Sequence, residues 1–151
     1  MELKSARLGT LEINEDKIIT FPEGIPGFEN LTKYIIIEEP ETGGAFHWLQ
    51  SVEDGDISLL LTRPTLFTDY TIEVEKEILA DIGITEENVG ETLTVVTLPE
   101  DFSKATTNLM APVILNSETM QGKQVILTES KWSMKHPLFP AEQNQASQGG
   151  K

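Results

Sequence analysis

Short runs rich in Val, Ile, Leu and Phe, each cut off by Pro, Gly, Asn or Asp, recur along this chain and restrict its fold. "KYIIIEE" ends before Pro40, "ISLLLTR" stops at Pro64, and "LTVVTLP", "APVILN" and "KQVILTES" have the same form. Branched and aromatic side chains suit a pleated surface, and runs this short between turn residues read as strands. "MELKSARLGTLEINEDKIITF" alternates and breaks at Gly9-Thr10 and at Asn14-Glu15-Asp16, which predicts hairpins. "AFHWLQSVE" sets Phe46, Trp48 and Gln50 on one face and His47, Leu49 and Ser51 on the other. "EDGD" turns the chain into the next strand, and "SETMQG" joins "APVILN" to "KQVILTES" as a hairpin.

One segment departs from the two-residue period. In "TIEVEKEILADIGI", Val74, Ile78, Leu79 and Ile82 recur at helical spacing, with Glu75 and Glu77 near the start. Gly83 suits a left-handed stop. The predicted fold is all-β: a small antiparallel β-barrel-like domain with one short helix, closed or nearly so. Closure would remove exposed strand edges. The final "FPAEQNQASQGGK" lacks periodic apolar residues. We therefore expect one domain over 1–138 and a disordered tail over 139–151.

Composition narrows the chemistry. The chain has no cysteine, which excludes a disulfide scaffold, a thiolate zinc site and a cysteine nucleophile. Its first ten residues lack the apolar stretch of a signal peptide, and no run is long enough to span a bilayer, so a cytoplasmic location is expected. Against 11 basic residues stand 25 acidic ones, a formal charge of −14. Direct nucleic-acid binding is disfavoured, because phosphate contacts need a basic stripe. The acidic charge is segmental: nine acidic residues lie between Glu73 and Asp101, with only Lys76 among them. Solubility is one reading of this, and a surface for a basic partner is the other.

No catalytic constellation is evident. His47 and His136 have no ligand spacing to each other, and "EDGD" lacks the frame of a calcium loop, so no metal or cofactor is expected. Nucleophile-elbow, phosphate-loop and dinucleotide signatures are absent. An enzyme is thus the weaker reading, and a small-molecule-binding barrel or hydrolase is kept as the alternative. Surfaces remain. Phe67 and Tyr70 follow Pro64 in a loop expected to be exposed, unless they plug the barrel end. Asn108 and Met110 precede a strand led by Pro112, and Met110 suits either an interface or the core.

"FPEGIPGFEN" (21–30) packs two Pro-Gly units between Phe21 and Phe28. Pro22 and Pro26 fix φ, while Gly24 and Gly27 reach positive φ, so the loop is stiff. It is either a pre-ordered recognition loop, with Ile25 in contact with a partner, or a barrel corner.

Together, "ITFPEGIPGFEN", "FHWLQSVE", "NLMAPVILNSETMQGKQVIL" and "KHPL" resemble the bacterial flagellar assembly factor FliW family over about 3–138. The specific pieces are Phe21, Gly24, Ile25, Pro26, Gly27 and Phe28, then Asn108, Leu109, Ala111, Pro112, Gly122, Gln124 and Val125. The resemblance implies a small β-barrel-like fold and a cytoplasmic regulator that is not an enzyme. It would bind flagellin as a chaperone and the translational repressor CsrA as an anti-repressor, and be a monomer when free. On that footing the acidic residues Glu73, Glu75, Glu77, Asp81, Glu86, Glu87 and Glu91 are expected to meet CsrA. Phe67, Tyr70, Asn108 and Met110 are expected to meet flagellin as an exposed apolar patch.

Overall fold

A computed structural model describes residues 1–85, 90–128 and 130–139. The tail expected to be disordered lies, from residue 140 onward, outside the described residues, as do Glu86 and Glu87. The N-terminal alternation forms β1 (Glu2–Ser5) and β2 (Gly9–Glu12), an antiparallel hairpin that is a sheet of its own. A short 3-10 turn capped by the Asn14 side chain then leads to β3 (Ile19–Thr20).

The larger sheet continues through β4 (Lys33–Glu38), β5 (Phe46–Ser51) and β6 (Ser58–Thr62). After the helix α1 (Lys76–Ala80) come β7 (Glu91–Thr97), β8 (Thr106–Thr107), β9 (Val113–Asn116), β10 (Gln121–Gln124) and β11 (His136–Pro137). Strands β7, β6, β5, β4, β3, β10 and β9 follow one another around the sheet, and β9 pairs back onto β7 to close it. Beyond the ring, β8 pairs with the end of β7 and β11 with β8. All pairings in the ring are antiparallel except β3 with β10, which meet in parallel at Thr20 and Gln121. Closure leaves the ring no free edge along its length.

Phe21, Tyr34, Leu49, Leu61, Leu93 and Val113 fill the interior and are fully buried. Small barrels are filled in this way, with side chains alternating inward along every strand. The outside is covered too. Trp48, Leu60 and Val96 lie beneath Ala105 and Leu138. Ile114 lies beneath Ile82, Ile84, Val125 and Leu127, against which Ile78 and Leu79 of α1 pack. The β1–β2 hairpin is fastened by a buried hydrogen bond from Ser5 Oγ to Gln50 Oε1 (2.7 Å) and by Ala6 N–H to the Gly55 carbonyl (2.9 Å). Both faces of β5 are therefore buried, and its alternation separates the inside of the barrel from its coat rather than core from water.

The helix is only five residues long. Gly83 ends it as expected, with φ +79°, and the N–H groups of Gly83 and Ile84 return to the carbonyls of Ala80 and Leu79 (both 3.0 Å).

Candidate functional site

The 21–30 loop is tied down at every turn. Phe21 enters the barrel and meets Tyr34 edge-on at 5.2 Å between ring centres. The Gly24 N–H donates to the Phe21 carbonyl (2.8 Å), and Phe28 N–H to that of Ile25 (2.7 Å). Ile25 itself is buried in the barrel core. The loop is thus a barrel corner with Ile25 as its plug, 2% exposed and closed to a partner, which corrects the reading of Ile25 as a contact residue, while Pro26 and Gly27 form an exposed tip. The Gly27 N–H donates to the Glu29 carboxylate (3.0 Å), which holds that carboxyl below its ordinary range. From the neighbouring wall, Lys123 Nζ reaches Glu23 (2.8 Å) and Asp81 (3.4 Å), joining the loop to the end of α1. The hydrogen bond to Glu23 raises the lysine above its ordinary value. The hollow enclosed there, between Pro22, Ile82 and Lys123, holds about 30 Å³, the space of a water rather than of a ligand.

The motif residues that carry the family resemblance turn out to serve one another. Between β8 and β9 the chain bulges out at 108–112: Asn108 N–H still donates to the Val95 carbonyl of β7 (2.9 Å), and the backbone groups after it find partners elsewhere. Leu109 N–H donates to the Ser133 carbonyl (2.9 Å), and the Tyr70 hydroxyl donates to the Leu109 carbonyl (2.6 Å). The carbonyls of Met110 and Pro112 accept from Leu127 N–H (2.7 Å) and Val125 N–H (2.9 Å). Gln124 Nε2 takes the Ala111 carbonyl (2.9 Å), and Asn108 Oδ1 accepts from Met110 N–H (3.0 Å). Each polar group satisfied here avoids a cost of about 1–3 kcal/mol for going without a partner. Gly122 is required because a side chain there would overlap the Phe21 ring.

The expected apolar patch is corrected in part. Tyr70 is not an exposed contact. It is buried, its hydroxyl is committed to Leu109, and its ring packs on Trp132 at 4.8 Å. Phe67 is half-buried in a different cluster, against Phe46 and Phe139. Asn108 and Met110 are half-buried in the bulge. The exposed apolar residues near Phe67 are Leu66, 56% exposed, and Phe102, 54% exposed, whose ring packs on Phe139. Sequence reading missed both, because nothing local distinguishes an exposed Leu or Phe from a buried one.

Burial pushes the Tyr70 hydroxyl up to about 12, and burial with the Glu53 charge does the same for Tyr34. Both values are raised in the folded state. Their contribution is therefore fully present below the unfolded value near 10 and is lost as pH rises toward 12. Thermal unfolding followed by circular dichroism should show Tm falling steeply over that interval. At about 1.4 kcal/mol per pH unit, each tyrosine accounts for a loss of up to ~3 kcal/mol. Tyr70→Phe should cost about 1–2 kcal/mol at neutral pH and make the alkaline fall shallower. An unchanged alkaline profile in that variant would refute the assignment for Tyr70.

The acidic run is also divided by the fold. Glu73, Glu75 and Glu77 are exposed before and on α1. Asp81 is paired with Lys123, and Glu91 with Arg63 at 3.2 Å. Two of the seven residues expected to meet CsrA are thus ion-paired with cations from elsewhere in the chain, Arg63 and Lys123. Glu86 and Glu87 lie outside the described residues. Among the described residues no group of three or more His, Asp or Glu could hold a metal ion, and no helix is long and apolar enough to cross a membrane. "EDGD" is a polar hairpin turn, where Glu53 accepts from the N–H groups of Thr32 (2.7 Å) and Lys33 (3.1 Å).

Fold and surface define a class: a seven-stranded barrel with a packed interior, coated on its outside, whose exposed features are surfaces. Comparison with known proteins gives the family. The family model described as FliW protein matches residues 2–138. The flagellar assembly factor FliW of Alkaliphilus metalliredigens is 38% identical over 98% of this chain and 92% of its own. That of Natranaerobius thermophilus is 45% identical over 92% and 93%. A crystal structure of the flagellar assembly factor FliW superposes with a TM-score of 0.86 at 32% identity, covering 93% of this chain and 98% of that one. The chain belongs to the FliW family of flagellar assembly factors.

Proposed function

We propose that this chain binds newly made flagellin and the repressor CsrA in the cytoplasm, and that release from flagellin frees it to relieve CsrA repression of flagellin translation. The observation that carries this reading is family membership over 2–138, nearly the whole of the described chain. Two surfaces support it. Leu66 and Phe102, both exposed, with half-buried Phe67 and Phe139, make an apolar area of the kind that covers sticky segments of an unassembled subunit. Glu73, Glu75 and Glu77, on a chain of net charge −14, attract an RNA-binding protein whose own surface must be basic. A bound acidic barrel also disfavours RNA without occupying its site, through a coupling free energy.

Co-purification with tagged flagellin and, separately, with tagged CsrA tests the reading, and failure to capture either protein would refute it. Phe67→Ala with Phe102→Ala is expected to weaken flagellin binding about 10-fold or more, with little effect on CsrA. Reversing Glu73, Glu75 and Glu77 to Lys should slow CsrA association about 10-fold at low salt and flatten its salt dependence. Unchanged kinetics in that variant would move the CsrA surface elsewhere.

A further inference from the structure

Past β10 the chain continues at 125–128 alongside the 108–112 bulge, with Val125 and Leu127 N–H groups bonded to it. Successive N–H groups of an extended chain point to opposite sides. Those of Ile126 and Thr128 face away, and among the described residues neither has a partner. Residues 71–75 have the same character. Ile72 and Val74 pack inward on the Ile82 cluster, while Glu73 and Glu75 face solvent. The N–H groups of Ile72, Glu73 and Val74 have no partner among the described residues. These two segments line one groove of about 1020 Å³. Trp132 stands in it, held by its Nε1 on the Thr71 carbonyl (2.9 Å), and Ile126 is 54% exposed on its lip.

We infer that this groove takes up an extended, basic segment of another protein by strand addition. Main-chain carbonyls of the incoming segment accept from the N–H groups of Ile126 and Thr128 on one edge and from those of Ile72 and Val74, which share a side, on the other. Its apolar side chains, at every second position, rest on Ile72, Val74 and Leu127. Its basic side chains alternate with them and meet Glu73 and Glu75. Charge selects this occupant: a second copy of the chain brings −14 against the same acidic rim. The chain's own last residues, "PAEQNQASQGGK", lack the alternating apolar side chains that the groove floor requires.

The inference shares Glu73 and Glu75 with the CsrA surface proposed above and to that extent rests on that reading. A synthetic probe separates the two. An acetylated, amidated peptide of about seven residues, lysine alternating with isoleucine, is long enough to cover both edges. Calorimetric titration into the full chain should give saturable binding. The same peptide with alternate peptide bonds replaced by trans-alkenes keeps its charge and extended shape but loses the carbonyl acceptors that the open N–H groups need, and should bind at least ~10-fold more weakly. E73K with E75K, both exposed and checked for an unchanged melt, should weaken the parent peptide by a similar factor.

Equal affinity of the alkene-substituted peptide, or no binding of the parent, overturns strand addition. So does a gain of about 10-fold on removing 140–151, which would make the tail the occupant. A dimer in sedimentation that the peptide dissolves would assign the groove to a second copy and overturn it as well. Peptide binding without capture of flagellin or CsrA supports strand addition while refuting the proposed function. Capture of both without peptide binding does the reverse.

Discussion

Gly24→Ala is expected to lower stability by about 3 kcal/mol or more, read as a fall in the urea midpoint with an unchanged slope. Two costs add. Gly24 sits at φ +70°, where a Cβ is strained, and an alanine Cβ there would lie 2.6 Å from the Glu29 Cα and 2.7 Å from its carbonyl oxygen. Those neighbours are backbone and cannot swing aside, so the loop must open. Opening it withdraws Ile25 from the barrel and loosens the Glu23–Lys123 contact. Gly27 is the internal control. Its φ is +94°, yet nothing lies within 4 Å of the position its Cβ would take. Gly27→Ala should therefore cost about 1–2 kcal/mol, the conformational term alone. Equal losses in the two variants would show that the close approach to Glu29 does not matter.

Phe21→Ala should cost about 3–5 kcal/mol, enough to bring a domain of ordinary stability near its threshold. The ring is fully buried at one end of the barrel, against Tyr34, where the backbone is pinned by Phe21 N–H to the Thr32 carbonyl (2.7 Å). Removing it leaves a hole that a closed, hydrogen-bonded wall cannot collapse to fill. Gly122 makes this testable as a pair. A Cβ at Gly122 would lie 2.6 Å from Phe21 Cζ and 2.9 Å from both Phe21 Cε1 and Leu115 Cδ2. Gly122→Ala alone is therefore destabilising. Once Phe21 is alanine, two of the three nearest contacts are gone, and the added methyl partly fills the space the ring has left. The double variant should be more stable than the sum of the two losses by about 1 kcal/mol or more. Additivity within ~0.5 kcal/mol would mean the two residues do not share that space. The two motifs, separated by most of the chain, are one packing unit on this account.

The sequence alone determined most of the strands, the short helix with its glycine stop at Gly83, and the stiffness of the 21–30 loop. These depend on φ preferences and on the local period of apolar residues, which the chain carries within a few positions. It also carried the family motifs, whose residues bond to one another at the bulge. It placed the strand in "KQVILTES" too late, since β10 covers Gln121–Gln124 and 125–128 lies beyond it. Nor did it show the two-residue strands β8 and β11, which only their pairing defines. Tertiary structure alone decided what each face meets. Trp48 and Leu49 look like opposite faces of a half-exposed strand, yet a barrel interior takes one and an outer coat the other. Tyr70 reads as a loop aromatic until the Leu109 carbonyl, 39 residues away, arrives to accept its hydroxyl. Charge behaves in the same way. Arg63 meets Glu91 across 28 residues, and Lys123 meets Asp81 across 42 and Glu23 across 100. Counting charges along the chain overestimates the free acidic surface, because neutralisation follows distance in space. The order in which strands pair around the ring and the packing of the 21–30 loop and α1 against it set those distances, and no local stretch of sequence encodes them.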